Sequence, residues 1–273
     1  MKQVSKSYRP QLSYLLFLSF LFIAAINLQI KREPLKLFGD PVINIPVLPS
    51  DIPDFASIQD VSIKKANFFD FLSPYIDTVN QQIIVQRQQL ISFSENMNSG
   101  SALDRNEMNY LSSLRVEYEL ENEDLTTGEL INRLLKRVDI IPSSLALAQA
   151  ANESAWGTSR FAREGKNFFG QWCYTEGCGI IPARRLAGAN HEVRSFDNVF
   201  DSVKAYIMNL NTFPNYQNLR EIRQRVRQSG RTIDGISLSE GLDTYSSRGD
   251  EYIFELQSMI YSNNLLELDR SGV

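Results

Sequence analysis

Between Leu12 and Ile26 the chain reads LSYLLFLSFLFIAAI, an apolar run without a charged residue. Lys2, Lys6 and Arg9 precede it, and Lys31 and Arg32 come after it. A basic stretch before an apolar run is the pattern of an export signal. Carried on to Ile30, the run reaches roughly the twenty residues that a helix needs to span a bilayer. The only small pair is Ala24-Ala25, with Ile23 two positions before Ala25. That weak cleavage site favours an uncleaved signal anchor over residues 1–32, with a cleaved signal peptide as the alternative. Residues 12–30 would then meet the membrane, and the charge ahead of them would send the rest of the chain outward.

Over residues 33–57 the pattern breaks. Pro34, Pro41, Pro46, Pro49 and Pro53 stand among isolated apolar residues, as in an extended connector without a core of its own. Over residues 58–124 apolar positions return at helical steps: Phe68, Phe71, Leu72, Ile76, Val79, Ile83 and Ile84. Pro74 is expected to start a helix rather than sit inside one. Asn98, Ser99 and Gly100 make a break, and Asp104 to Leu120 is a second amphipathic stretch. No chemistry-bearing constellation occurs here, so the segment reads as a helical extension packed on the C-terminal half of the chain.

Residues near Gly128 begin a helix through Arg137, and then Pro142 opens PSSLALAQAANESAWGTSRFAREGKNFFG. Ser143 and Ser144 are each able to cap a helix start. Ala146, Gln149, Ala150, Glu153 and Gly157 fall on one face, while Leu145, Leu147, Ala148 and Ala151 cover the rest. A helix so apolar is central to its domain. Its one acid, Glu153, lies near the C-terminal end, where the helix dipole and apolar neighbours such as Ala150 and Trp156 disfavour a charge. Both effects raise its pKa, as a general acid requires. The plainer reading is a surface or capping glutamate.

Residues 171–196 mix glycines, aromatics and short apolar pieces, as in a hairpin or small β-like lobe. The only cysteines, Cys173 and Cys178, read as a local disulfide in an exported chain. With His191 they would make only a three-ligand zinc site at irregular spacing, so no metal is expected. Past the lobe the pattern is helical again, with Phe200, Val203, Tyr206, Ile207 and Leu210 on one face.

Charge narrows the function classes. Arg220, Arg223, Arg225, Arg227 and Arg231 form a basic row, yet the chain carries 28 basic against 32 acidic residues. No aromatic stacking motif accompanies the row, so a solvated helix face is expected and nucleic acid is not a partner. One histidine and two paired cysteines leave little for nucleophilic catalysis. No phosphate-binding glycine loop or dinucleotide fingerprint occurs, and no cofactor is expected.

The string AQAANESAWGTSRFAREGKNFFG resembles the signature of glycoside hydrolase family 73, the bacterial endo-β-N-acetylglucosaminidases, and within it the Bax-type proteins. Val193-Arg194-Ser195-Phe196, Phe213-Pro214-Asn215-Tyr216 and Leu242-Asp243-Thr244-Tyr245 come later in the matching order. The resemblance covers residues 125–268, taken as the catalytic domain. It implies a mainly α fold, with a lysozyme-like α+β catalytic domain carrying a small β-like lobe. It implies hydrolysis of peptidoglycan at the β-1,4 bond after N-acetylglucosamine, with Glu153 as the acid. The second catalytic role falls either to an acid in the lobe, Glu176 or Glu192, with Glu192 favoured, or to the substrate's own acetamido group. The loop between the cysteines departs from the commoner family pattern there. Tyr245 matches a family tyrosine able to hold the N-acetyl group or a water. Gln149, Trp156, Asn167, Phe168 and Trp172 are expected at the substrate, some of the aromatics as sugar-stacking walls. Two other classes stand beside the hydrolase: a nonhydrolytic peptidoglycan-binding module, and a structural envelope protein acting through its N-terminal half. In each case the expected place is the bacterial envelope, anchored in the inner membrane facing the periplasm, or exported.

Overall fold

A computed structural model describes residues 48–49, 51–183, 185 and 188–271. The expected membrane segment 12–30 and most of the connector lie outside the described residues. Among those described, no helix is long and apolar enough to cross a membrane.

The fold is mainly helical. Helix α1, Val61–Asn98, runs for 38 residues, its start capped by Asp60, whose carboxylate accepts from the Ser62 and Ile63 amides. Pro74 lies inside this helix, against expectation. An interior proline deletes one backbone bond and crowds the preceding turn. The turn holds because Phe68, Phe71, Leu72, Tyr75 and Ile76 on both sides of it are buried. Hydroxyls of Ser73 and Thr78 also bond to the Phe69 and Pro74 carbonyls. Helix α1 stops before Gly100, whose φ of +85° suits glycine alone.

Two short helices return along α1. Helices α2, Arg105–Glu117, and α3, Thr127–Arg137, both start in capping boxes, Asp104 with Glu107 and Thr126 with Glu129. Helix α4, Ser143–Ser154, is the central one, with ten of its twelve residues buried. It begins differently from the sequence expectation: neither Ser143 nor Ser144 caps it. The cap comes from Asp269, 125 positions away, whose carboxylate accepts from the Ser144 amide at 3.0 Å and hydroxyl at 2.5 Å. Asp269 also accepts from the Gly235 amide at 3.0 Å.

After α4 come α5, Arg160–Gly165, and three short strands, β1 Trp172–Cys173, β2 Gly179–Ile180 and β3 Glu192–Arg194. They form an antiparallel sheet in the order β1-β3-β2, with Trp172 opposite Val193 and Gly179 opposite Arg194. A Cβ at Gly179 would stand 2.0 Å from the Val193 carbonyl oxygen, so only glycine lets β2 close on β3. The disulfide Cys173–Cys178 pins this lobe.

The remaining helices are α6 Val199–Thr212, α7 Gln217–Gln228 after a 3₁₀ turn at Pro214–Tyr216, α8 Gly235–Ser239, α9 Asp250–Ser262 and α10 Leu266–Ser271. Helix α4 touches α1, α8, α9 and α10, and α1 also packs on α3 and α6. The helical extension and the C-terminal half therefore share one core, which reaches back to Phe55, itself fully buried. Helix α7 corrects part of the expected solvated basic row: Arg225 and Arg231 are exposed as expected, but two arginines are not. Arg220 and Arg223 are 8% and 1% exposed, turned inward onto backbone carbonyls.

Candidate active site

Glu153 is the eleventh residue of α4, and the chain turns sharply just beyond it. Ala155, Trp156 and Gly157 take φ values of +50°, +59° and +75° in succession. Left-handed backbone is costly for Ala155 and Trp156, so surrounding contacts must hold it. Ser154 supplies one, bonding back to the Ala150 carbonyl and accepting from the Gly157 amide at 2.8 Å. A Cβ on Gly157 would lie 2.4 Å from the Phe55 ring, so this turn seats against the segment before α1. Trp156 packs edge-on to Phe68 and Phe69 of α1, with Lys65 over its ring at 4.9 Å. The extension thus braces the turn that carries Glu153.

The carboxyl of Glu153 sits at the end of a one-way hydrogen-bond chain. The buried Tyr206 hydroxyl donates to Gln149 Oε1 at 2.6 Å, and Gln149 Nε2 donates to the Tyr252 hydroxyl at 3.0 Å. Tyr252 then donates to Glu153 Oε1 at 3.0 Å. Because Gln149 fills the acceptor side of Tyr252, its proton points at Glu153. The other oxygen, Oε2, faces Gly170, where an added Cβ would come within 3.4 Å.

Glu153 remains exposed to solvent, with the Tyr252 hydroxyl against its carboxyl. Loss of hydration dominates and raises its pKa. The Tyr252 hydrogen bond and the charge of Arg248 pull the other way, and Glu255 adds to the rise. Arg248 is paired with Glu255 at 2.6 Å and lies over the Tyr252 ring at 5.3 Å. An acid whose proton is held more firmly than usual, open to one side and oriented from the other, is equipped to donate to a leaving oxygen.

The other expected site residues fall into two sets. Gln149 joins Glu153 as a buried orienting group rather than a sugar contact, because both ends of its amide are engaged. Tyr245 stacks on Tyr252 at 5.4 Å, and its enclosed hydroxyl donates to the Phe169 carbonyl at 3.3 Å. Asn167, 1% exposed, ties the loop together: its amide donates to the Gln171 and Arg194 carbonyls and accepts from the Phe169 and Gln171 amides. Neither Asn167 nor Phe168 can face a sugar. Phe168 is wholly buried against Phe68 and Phe71, where its ring belongs to the core. Trp156 is spent on α1. Trp172 is the expected platform that stays open, 57% exposed and stacked on His191 at 4.4 Å.

Glu192 has a structural occupation. Its two oxygens accept from the Gly177 and Gly179 amides at 3.1 and 2.8 Å, inside the disulfide lobe. Little of it is exposed, and the two amide bonds, which outweigh desolvation, lower its pKa. Its carboxylate lies close to the sulfurs of Cys173 and Cys178. Bonded to each other, those sulfurs offer no thiolate for a metal. The sequence reading missed Tyr252, Tyr206 and the Arg248–Glu255 pair. Their signal was weak, because apolar periodicity counts a tyrosine as one more core residue.

A family model described as glucosaminidase, mannosyl-glycoprotein endo-β-N-acetylglucosaminidase, matches residues 128–265. Protein bax of Escherichia coli K12 is 32% identical over 217 residues, covering 80% of this chain and 76% of that protein. The chain belongs to the glucosaminidase family. It is a Bax-type member, and its family domain is of the glycan-hydrolase kind. Every residue of the chain from Tyr206 to Glu153 lies within the matched glucosaminidase segment. No solved structure matches this sequence.

Proposed function

We propose that this glucosaminidase-family protein hydrolyses peptidoglycan at the β-1,4 bond after N-acetylglucosamine, with Glu153 as general acid. The observation that carries the reading is the carboxyl of Glu153, raised in pKa, open on one side and oriented by Tyr252. Since Oε1 accepts the Tyr252 proton, the transferable proton sits on Oε2, on the Gly170 side of the carboxyl. A glycan strand entering there presents its leaving oxygen to Oε2. Donation breaks the glycosidic bond, and the cationic sugar centre needs support. With both Glu192 oxygens engaged, the substrate's own acetamido oxygen takes that part in this reading, bonding to the anomeric carbon until a water, giving its proton to the now ionised Glu153, displaces it. Trp172 supplies a stacking face for a neighbouring sugar. The site of action is the cell envelope, with residues 12–30 as the anchor.

The test is digestion of purified peptidoglycan by the chain and by Glu153→Gln, with the products reduced and identified by mass spectrometry. Fragments ending in reducible N-acetylglucosamine, and their loss in the variant, support the reading. If neither protein releases fragments but both sediment with the wall, the protein is a binding module.

A further inference from the structure

Away from Glu153 the molecule holds a strongly cationic cavity. It has a volume of about 300 Å³ and is lined by Arg87 of α1, Lys136 of α3, Asp139 in the connection to α4, and Arg220, Arg223 and Arg227 of α7. Five cations thus surround one carboxylate, an excess of four positive charges in a protein whose net charge is −4. Ser143 starts α4 just after this cavity and Glu153 nearly ends it, so about 15 Å of helix separates them at 1.5 Å per residue.

The single acid is already committed. Asp139 receives a two-pronged bond from Arg227 at 2.7 Å and 2.7 Å, and Arg87 and Arg223 stand at 3.4 and 3.9 Å. Arg223 is saturated by Asn211 Oδ1 and by the carbonyls of Lys136, Arg137, Asp139 and Ile140. Among the described residues Arg87 and Arg220 bind protein carbonyls only through Nη1, and Arg227 uses only Nε and Nη2. Donors therefore remain on three guanidinium groups, in the fork geometry that fits phosphate and carboxylate oxygens.

Burial together with cationic neighbours is unfavourable for Arg220 and Arg223, whereas the bond to Asp139 favours the charge on Arg227. Desolvation, then Arg137, takes Arg220 down to about 10; desolvation, opposed by Asp139 and aided by Arg87, Arg220 and Arg227, does the same to Arg223. Both stay charged at neutral pH, and Asp139 is the one carboxylate of the cavity that offsets the repulsion among them. A second cavity of about 240 Å³ shares Arg227 with the first and adds Arg231 and Arg270. Its acid, Asp269, is occupied in capping α4.

We propose that the cavity between α1, α3 and α7 binds a small ligand carrying two or more phosphate or carboxylate groups, as a site separate from Glu153. The site does not depend on the hydrolase reading.

Calorimetric titration of the full chain with pyrophosphate, and separately with tricarballylate, tests it at low ionic strength, where screening is weakest. Lys136→Glu and Gln224→Glu each place a negative charge on the cavity wall, and neither native side chain makes a hydrogen bond among the described residues. Arg105→Glu, elsewhere on the surface, is the control. The expected result is one saturable site, weakened about tenfold or more in both cavity variants and unchanged in the control. Tighter binding of pyrophosphate assigns the ligand to phosphate chemistry, and tighter binding of tricarballylate to carboxylates. Absence of saturable binding, survival of binding in both cavity variants, or equal loss in the control overturns the proposal.

Discussion

Tyr252 donates its phenolic proton to Glu153 across 3.0 Å, and Gln149, behind it at 3.0 Å, leaves that proton no other direction. The acid is therefore held by a residue 99 positions away, with its free oxygen turned toward Gly170.

Glu153→Gln should lower the rate of glycan cleavage by roughly 10²–10⁴-fold, the usual worth of a positioned acid. Folding should not suffer. The folded-state pKa of Glu153 lies above its unfolded value. Its contribution to stability is therefore complete below the unfolded pKa and lost as pH rises through the folded one. Thermal melts should show the variant gaining on the parent as pH rises through that window. A variant that melts far lower at every pH would mean that Glu153 is a structural residue.

Tyr252→Phe removes a bond that favours the carboxylate, so the pKa of Glu153 should rise further. A general acid works while protonated, so activity falls as pH climbs past its pKa. The alkaline limb of kcat/KM should shift to higher pH in the variant, with kcat reduced because the carboxyl is less well oriented. An unmoved limb with an altered KM alone would dissociate Tyr252 from the acid.

Glu192→Gln separates a catalytic carboxylate from a loop anchor. As an anchor for the Gly177 and Gly179 amides, it should tolerate the amide with a modest loss of activity and looser hydrogen exchange in the lobe. A loss matching that of Glu153→Gln, in a lobe that exchanges normally, would put Glu192 in the chemistry.

Asp139→Asn should cost about 3–5 kcal/mol, because one partner of a buried ion network is removed and the arginines stay behind. Burial opposes the charge on Asp139, but the Arg227 hydrogen bond and the charges of Arg223, Arg87 and Arg227 outweigh it and lower the pKa. Its contribution is thus present above the unfolded pKa and lost as pH falls through the folded one. Urea unfolding of parent and variant should converge in strong acid and diverge toward neutrality.

Phe68→Ala should destabilise by about 3–5 kcal/mol, as expected for a fully buried aromatic ring. Its ring braces Trp156, so activity at a temperature where the variant is still folded should fall as well. Full activity in a folded Phe68→Ala protein would show that α1 does not support the Glu153 turn.

Much of this was legible in one dimension. Steps of three and four marked the faces of α1 and α6. The apolar circumference of α4 placed it at the centre, and the cysteine count in an export context pointed to the disulfide. These are local signals: helix periodicity, capping chemistry and composition act between residues close in the chain. Glu153 and its surrounding motif were legible for the same reason.

Tertiary structure decided what depends on distant partners. Pro74 stays inside α1 because packing on both sides outweighs one missing bond. Asp269 caps α4 in place of either serine, because folding brings it to the Ser144 amide. Phe168 is core, Gln149 points at Tyr252, and Arg220 and Arg223 turn inward, since each has its acceptor or packing surface on another element. Sequence determined that an acid sits at the end of a buried helix. Which oxygen of that acid is engaged and which stays free was set by a tyrosine that only the fold brings near, since hydrogen-bond direction depends on three-dimensional neighbours.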